Sequence, residues 1–141
     1  MADPSFEVIR AMIARLRSAA TLTSLGVTGV YDPPPQPDAP VVPPYISLGP
    51  SDVYREDASC VSGQGIFIQL DVWSWGAGKA GSSVLTREIC DAVEQLLHDQ
   101  EMALPTNLLS TLEHRSTEIM RDRGGIVNHG IVRFWASVQR A

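Results

Sequence analysis

The chain has 141 residues, a hydrophobic content of 44% and a formal net charge of −5. This length supports one compact domain, residues 1–141, and leaves too few apolar side chains for a second core. The acidic balance is opposite in sign to the basic surface with which nucleic-acid-binding proteins neutralise phosphates, so tight binding to DNA is not expected.

Cysteine usage and the N-terminus exclude further classes of protein. Cys60 and Cys90 form no CxxC pair, so neither a disulfide scaffold nor a zinc site is predicted. The first residues lead into a segment that carries Glu7 and Arg10, without the apolar stretch of a signal peptide, and no uncharged run reaches membrane-spanning length. We expect a protein that is made in the cytoplasm and has no membrane contact.

The N-terminal segment is predicted to be a helix. Asp3 can cap it and Pro4 suits its first position, while one apolar face follows at spacings of three or four, formed by Phe6, Ile9, Ile13 and Leu16. Residues 27–31 are short and β-branched, which favours an extended segment.

Residues 32–44 change the character of the chain. Seven prolines exclude a helix or a central strand there, and they are Pro33, Pro34, Pro35, Pro37, Pro40, Pro43 and Pro44. We interpret this segment as an extended loop or arm with polyproline character.

Strands are predicted on both sides of a second long loop. Residues 45–48 form a strand that ends at Gly49 and Pro50, and residues 51–65 form a polar loop that carries Tyr54 and Arg55. In residues 66–75, aliphatic side chains alternate with a partly aromatic, partly polar set. The aliphatic side chains should therefore face the core, and a neighbour should cover part of the other face. The aliphatic residues are Ile66, Ile68, Leu70 and Val72.

The C-terminal half is predicted to contain one long helix and a hairpin. Ser82 or Ser83 can cap a helix over residues 84–98, with an apolar stripe at Leu85, Ile89, Val93 and Leu96. Residues 108–121 and 126–138 are predicted antiparallel strands joined at residues 122–125. The predicted class is α+β, with an antiparallel or mixed sheet of about four strands and an N-terminal helix and one long helix on one face.

Residues 76–81 match the GxGxxG pattern of dinucleotide-binding turns, with Gly76, Gly78 and Gly81 placed between a strand and a helix. That fold requires a further parallel strand, whereas a polar antiparallel hairpin is predicted here. A P-loop is excluded because Ala80 follows Lys79 where Ser or Thr would contact the metal. We interpret the glycines as a flexible strand-to-helix connection.

The histidines His98, His114 and His129 invite a catalytic or metal-binding interpretation. A hairpin that turns symmetrically about residues 123–124 places Glu118 opposite His129 and His114 opposite Arg133. No nucleophile elbow accompanies that pair, and His98 and Cys90 have no third ligand nearby in the sequence. No catalytic, cofactor-binding or metal site is predicted, and a solvated cross-strand pair is the simpler interpretation.

Tryptophan gives the strongest indication of a contact surface. Trp73, Trp75 and Trp135 lie on predicted strands, and tryptophan is enriched where one protein buries another. For each of them, core packing within the subunit is an equal alternative. We predict that these residues, with Tyr54 and Arg55 of the long loop, contact another subunit or a partner.

Four structural landmarks follow one another along the chain: PYISLG at 44–49, LDVWS at 70–74, a glycine-containing turn with its helix, and HGIVRF at 129–134. Their order resembles that of the tail terminator, or tail-completion, proteins of long-tailed phages and phage-derived gene transfer agents. The resemblance covers nearly the whole chain, although residues 32–44 look longer than the family requires.

The resemblance implies a structural virion protein without cofactors, made in the bacterial cytoplasm and incorporated at the head-tail junction. It implies a ring, typically of six copies, that caps the tail tube, ends its polymerisation and meets the head-completion or connector proteins. DNA would pass through the ring without specific binding, which suits an acidic chain.

Three alternatives remain open at the level of sequence. A head-completion or neck protein of the same particle is the nearest of them. A small nucleotide-dependent enzyme that uses residues 76–81 belongs to another class, and a transient assembly chaperone or adaptor would be absent from purified particles.

Overall fold

The computed structural model describes residues 3–36 and 40–141, which form an α+β domain as predicted. The helices are α1 (Pro4–Arg17), α2 (Ala20–Ser24) and α3 (Ser83–Leu97). The strands are β1 (Val30–Tyr31), β2 (Tyr45–Arg55), β3 (Gly63–Ser74), β4 (Leu108–Asp122) and β5 (Val127–Gln139). Within the described residues, no helix is long and apolar enough to cross a membrane.

The strands form one five-stranded sheet in the order β1-β2-β3-β5-β4. All neighbouring pairs are antiparallel except β1 and β2, which are parallel. The predicted number of about four strands is one too low, because β1 consists of two residues that pair only with Ile46 and Ser47. So short a strand shows no periodicity in the sequence.

Helix α1 begins as predicted but buries a different face. The side chain of Asp3 accepts a hydrogen bond from the N–H of Ser5, and Pro4 occupies the first turn. Val8 and Met12 are buried beside Ile13 and Leu16, whereas the predicted Phe6 is 49% exposed. The face is rotated because Glu7 also points into the protein, where it binds the segment before β4.

The core lies between the helices and one face of the sheet. The aliphatic residues of β3 are all buried there, as their alternation predicts, and they are Ile66, Ile68, Leu70 and Val72. Leu85, Ile89 and Val93 of α3 pack against them, while Leu97 replaces the predicted Leu96 as the last buried residue. Ser82 caps α3 by accepting from the N–H of Val84, as predicted.

The predicted loop over residues 51–65 is wrong for most of its length. β2 continues to Arg55 and β3 begins at Gly63, so the connection spans only residues 56–62. A bulge between Leu48 and Ser51 accommodates Pro50, which has no N–H for a ladder. The extension was missed because residues 50–55 are all exposed, so hydrophobic alternation is absent.

The predicted hairpin is present, but its register is wrong by two residues. Asp122 pairs with Val127, so Met120, not Glu118, lies opposite His129. Bulges at Leu109/Thr111 and His114/Ser116 shift the pairing again and put His114 opposite Phe134, not Arg133. A one-residue change in the turn moves every subsequent pair, and bulges leave little trace in the sequence.

Residues 32–36 and 40–44 contain neither helix nor strand, in agreement with the prediction for the proline-rich segment; Pro37 lies outside the described residues. Thr28 holds the end of the segment. Its N–H donates to the carbonyl of Pro44 at 2.9 Å, and its hydroxyl donates to the carbonyl of Val42.

Gly130 of β5 determines how closely α3 approaches the sheet. A Cβ at this position would lie 2.5 Å from the Sγ of Cys90 and 3.0 Å from the Cγ2 of Thr86, both on α3. Burial raises the pKa of the Cys90 thiol to about 12, so this cysteine packs as a small apolar group and does not react.

We expect Gly130→Ala to lower the free energy of unfolding by about 1–3 kcal/mol, because the added methyl overpacks the contact with α3. In a Cys90→Ala background the same substitution should cost at least about 0.5 kcal/mol less, since the opposing sulfur is gone. Urea unfolding of the four proteins of the cycle measures this coupling. Strictly additive costs would show that Cys90 does not limit the approach.

Glu7 joins α1 to the segment before β4. Its carboxylate accepts the N–H of Thr106 at 3.0 Å, and the backbone N–H and side-chain amide of Asn107, both at 2.9 Å. Burial alone would raise the pKa of Glu7, but the hydrogen bonds from Asn107 and Thr106 outweigh it and hold the pKa below its usual 4.5. The folded state therefore favours the carboxylate.

Because the pKa of Glu7 is lower in the folded state, its stabilising effect is complete above pH 4.5 and disappears as the pH falls through the folded-state value. Glu7→Gln should lower the melting temperature at pH 7, and the difference from the natural protein should shrink in acid. Glu88→Gln, at an exposed ion pair, is the matched control and should change little at either pH. A Glu7→Gln deficit that does not depend on pH would contradict this assignment.

Candidate interaction surface

Both long helices pack on one face of the sheet, which leaves the other face, here called the open face, without a helix. Strand alternation places a mixed aromatic and charged set on it. From β3 and β5 these residues are Phe67, Gln69, Asp71, Trp73, His129, Arg133 and Trp135. The composition agrees with the prediction for the second face of residues 66–75.

Tyr54, Phe67 and Trp135 form an aromatic cluster at one end of the open face. The ring centroids of Phe67 and Trp135 lie 4.6 Å apart, and Tyr54 lies 6.0 Å from each. Tyr54 is 49% exposed and Phe67 is 38% exposed. The cluster therefore presents apolar ring surface to solvent in the isolated subunit.

Gly65 positions the Trp135 ring, because a Cβ there would lie 2.2 Å from the ring. The guanidinium of Arg115 lies 5.8 Å from the Trp135 centroid, within reach of a cation–π interaction. Arg55 follows Tyr54 on the same strand and forms an exposed ion pair with Asp57 at 3.0 Å. Arg115 thus borders the aromatic cluster, whereas Arg55 pairs with Gln64 and lies on the helix side of β2.

The centre of the open face carries a partly buried charged group. The Nε2 of His129 lies 2.8 Å from Asp71, its Nδ1 lies 3.4 Å from Asp122, and the indole of Trp73 stacks on the imidazole with centroids 3.8 Å apart. A neutral imidazole has one N–H and can donate to one of these carboxylates, whereas the protonated ring can donate to both. Sequence reasoning missed this group because Asp71 and Trp73 meet His129 through the pairing of β3 with β5, which the sequence does not predict, and Asp122 meets it only in the observed hairpin register.

A second group of rings lies at the other end of the face. Tyr45 packs edge-on against Trp75 at 5.9 Å and against Tyr31 at 5.7 Å. Burial and the neighbouring Tyr31 raise the pKa of Tyr45. Trp73 donates its indole N–H to the hydroxyl of Ser47 at 3.0 Å. Trp73 and Trp75 therefore both have partners within the subunit.

The five predicted contact residues thus separate into two groups. Tyr54 and Trp135 come together at one end of the open face, and Trp73 and Trp75 lie at the other. Arg55 pairs with Gln64 and so lies on the helix side of β2, apart from both groups. Phe67 was not among the predicted contact residues, although its place in the alternation of β3 put it on this face.

The glycines at residues 76–81 are explained by the turn that they form. Gly76 and Gly78 have φ values of 127° and 64°, in the left-handed region, and a Cβ on Gly81 would lie 2.3 Å from the carbonyl oxygen of Gly76. Asn128 and Ser74 fix the turn by donating to the carbonyls of Gly81 and Ala80. The strands after α3 pair antiparallel, unlike those of a dinucleotide fold.

The other two histidines, His98 and His114, make their contacts at the β4 edge of the sheet. His98 accepts the N–H of His114 on its Nδ1 at 3.0 Å, and the Nδ1 of His114 lies 3.3 Å from Glu94. In the described parts of the chain, no three metal-ligating side chains come together.

Comparison with known proteins agrees with this architecture. No curated protein sequence matches the chain. A chain of a structure described as "Virion of native gene transfer agent (GTA) particle" has a similar fold, with a TM-score of 0.84, 24% sequence identity and 99% of both chains covered. The model of the family described as tail completion protein gp17 matches residues 10–139. The chain therefore belongs to the tail completion protein gp17 family, a family of structural proteins of phage-like tails.

Proposed function

We propose that this protein is the subunit of a ring, of six copies, that caps the tail tube at the head-tail junction. In this proposal the ring ends tube polymerisation and joins the tube to the head-completion or connector proteins. The observation that carries it is an exposed aromatic cluster on the helix-free sheet face of a tail completion protein.

Burial of the aromatic cluster between subunits accounts for its exposure in the single chain. Aromatic residues beside arginine are enriched at the centres of protein interfaces. Tyr54, Phe67 and Trp135 already pack on one another, so little side-chain entropy is lost when a neighbour covers them. We assign Tyr54, Trp135 and Arg55 to the subunit contact, and Trp73 and Trp75 to the outer part of the same surface.

A ring forms if the contact is heterologous, meaning that each copy uses one patch to bind a different patch on the next copy, and if the rotation between neighbours closes. The closed ring then has a fixed number of copies and leaves no free patch. Six copies would match a six-fold tube, which is the symmetry implied by the resemblance of this sequence to tail terminators.

The proposed role requires no cofactor and no catalytic group. The glycines of residues 76–81 are used by the turn itself. The net charge of −5 suits a ring through which DNA passes without being held. The occurrence of a chain of similar fold in a gene transfer agent particle supports a location in a virion or phage-like particle.

A head-completion or neck protein of the same particle would also need a ring contact. The two roles differ in what fails when the ring is disrupted. Loss of a tail terminator leaves tail tubes that grow beyond their normal length, whereas loss of a neck protein leaves tails of normal length that do not join heads.

We expect Tyr54→Ala to abolish ring formation and to yield overlong, headless tails, because it removes an exposed ring at the centre of the contact. Its cost in unfolding free energy of the single chain should be about 1–2 kcal/mol, because Tyr54 loses its packing on Phe67 and Trp135 while half of its surface is exposed. Native mass spectrometry measures ring formation, and electron microscopy measures the length of the tails and whether they carry heads.

Val53→Ala is the matched control. Val53 is also 49% exposed, but it pairs with the core residue Ile66 and so lies on the helix side of β2. Val53→Ala should leave rings and tails unchanged. A Tyr54→Ala protein that folds normally and produces normal particles would contradict the proposed contact.

A further inference from the structure

The hairpin of β4 and β5 ends in a tip, defined as residues 120–126, that carries exposed apolar side chains. Ile126 is 68% exposed, more than any other large apolar side chain in the described ranges, and Met120 is 40% exposed. Polar residues and glycine are usual in such a turn. An isoleucine here contributes little to the core of its own subunit and is available to a partner.

The tip has a fixed shape and a positive balance of charge. The glycines at 124–125 have φ values of 69° and 86°, in the left-handed region, and the guanidinium of Arg121 donates to the carbonyl of the second glycine at 3.3 Å. The tip sequence contains Arg121 and Arg123 and one acidic residue, Asp122. The carboxylate of Asp122 already lies 3.4 Å from the imidazole of His129.

The aromatic cluster, at the other end of the sheet, is bordered by carboxylates. Asp52 pairs with Phe67 and Glu113 pairs with Trp135, so strand alternation places both acidic side chains on the open face beside the rings. Glu56 borders the ring of Trp135 as well. The three carboxylates, here called the acidic rim, surround an apolar centre.

Part of the acidic rim has no basic partner within the subunit. Arg115 pairs with Glu113 at 3.6 Å, and Arg133, further along β5, pairs with Glu118 at 3.4 Å. Among the described residues, Asp52 forms no ion pair, and neither does Glu56, which accepts a hydrogen bond from the hydroxyl of Ser137 at 3.1 Å. An apolar side chain accompanied by arginine complements rings with free carboxylates beside them.

The tip cannot reach the aromatic cluster of its own subunit. Ile126 directly precedes β5, and Trp135 lies nine residues further along the same extended chain, or about 30 Å away. β5 is paired with β3 on one side and with β4 on the other over this length, so it cannot fold back. A contact between the tip and the cluster therefore joins two copies, and it uses a different patch on each.

We infer that the β4–β5 tip of one subunit docks on the aromatic cluster of the next subunit in the ring. This inference rests on the proposed ring and identifies the two patches of its heterologous contact. Ile126 packs on the rings, and the basic residues of the tip meet the acidic rim. Each copy contributes one tip and one cluster, so a closed ring leaves neither exposed.

A charge exchange at Ile126 tests the complementarity. Ile126→Glu and Ile126→Lys both remove the apolar side chain, and both should leave the melting temperature close to that of the natural protein because the position is exposed. Against the acidic rim, Ile126→Glu should reduce the amount of this protein in purified particles severalfold more than Ile126→Lys. Quantitative mass spectrometry relative to the tube protein measures that amount.

The order of the two variants should reverse when Asp52→Lys and Glu56→Lys are introduced together, because the rim is then basic. Equal amounts from the two variants, or an order that stays the same in the basic background, would overturn the docking.

Cross-linking locates the contact directly. In a Cys60→Ser background, which removes the exposed natural thiol, Ile126→Cys and Asp52→Cys place one thiol on each patch. A short bismaleimide reagent applied to purified particles should give dimers and a ladder up to the size of the ring on denaturing gels. Val53→Cys in place of Asp52→Cys is the matched control, because Val53 is exposed on the helix side of β2, and it should cross-link severalfold less.

Each cysteine variant alone should give no ladder. Dimers from Ile126→Cys alone would show a symmetric contact between two tips and would contradict the heterologous contact.

The outcomes separate this inference from the proposed function. If the particles contain rings of this protein but position 126 does not cross-link to position 52, the docking of the tip is wrong and the ring stands. Cross-linking of position 126 to the tube or head protein alone would assign the tip to that partner and overturn the inference. If purified particles lack the protein, the proposed function and the inference both fail.

Discussion

One-sided burial of the central β3–β5 pair is the constraint on which the rest of the structure depends. The helices cover the aliphatic face of these strands, and α3 comes close enough to exclude a side chain at Gly130. A sheet with helices on one face only must leave its other face to solvent or to another protein. The open face is therefore a direct result of how the core is built, and its composition determines what the domain can bind.

That composition differs along the strands. The charged group of Asp71, His129 and Asp122 is partly buried and makes its contacts within the subunit, as do Trp73 and Trp75. The aromatic cluster is the exposed apolar part of the face. An exposed aromatic patch of this kind is typical of a protein contact surface.

Much of the fold could be predicted from the sequence, because strong periodicity comes from burial. The alternation of β3, the α3 stripe up to Val93 and the cap at Asp3 were predicted correctly, and Ser82 was one of the two predicted caps of α3. Errors occurred where the determining contact is distant in sequence or the strand is solvated on both sides. Glu7 rotates α1 through bonds to residues a hundred positions away, the outer half of β2 has no alternation, and bulges in β4 shift the pairing of the hairpin. The contact role of Tyr54, Arg55 and the three tryptophans stays a prediction, and their division into separate groups depends on the strand register.

The central claim is that this protein ends the growth of the tail tube. Electron microscopy of particles from a strain that lacks the protein tests it most directly, with the gene supplied back as a control. The account predicts tail tubes longer than normal and heads without tails, both corrected by the restored gene. Tails of normal length that fail to join heads would contradict tail termination and move the protein to the head side of the junction.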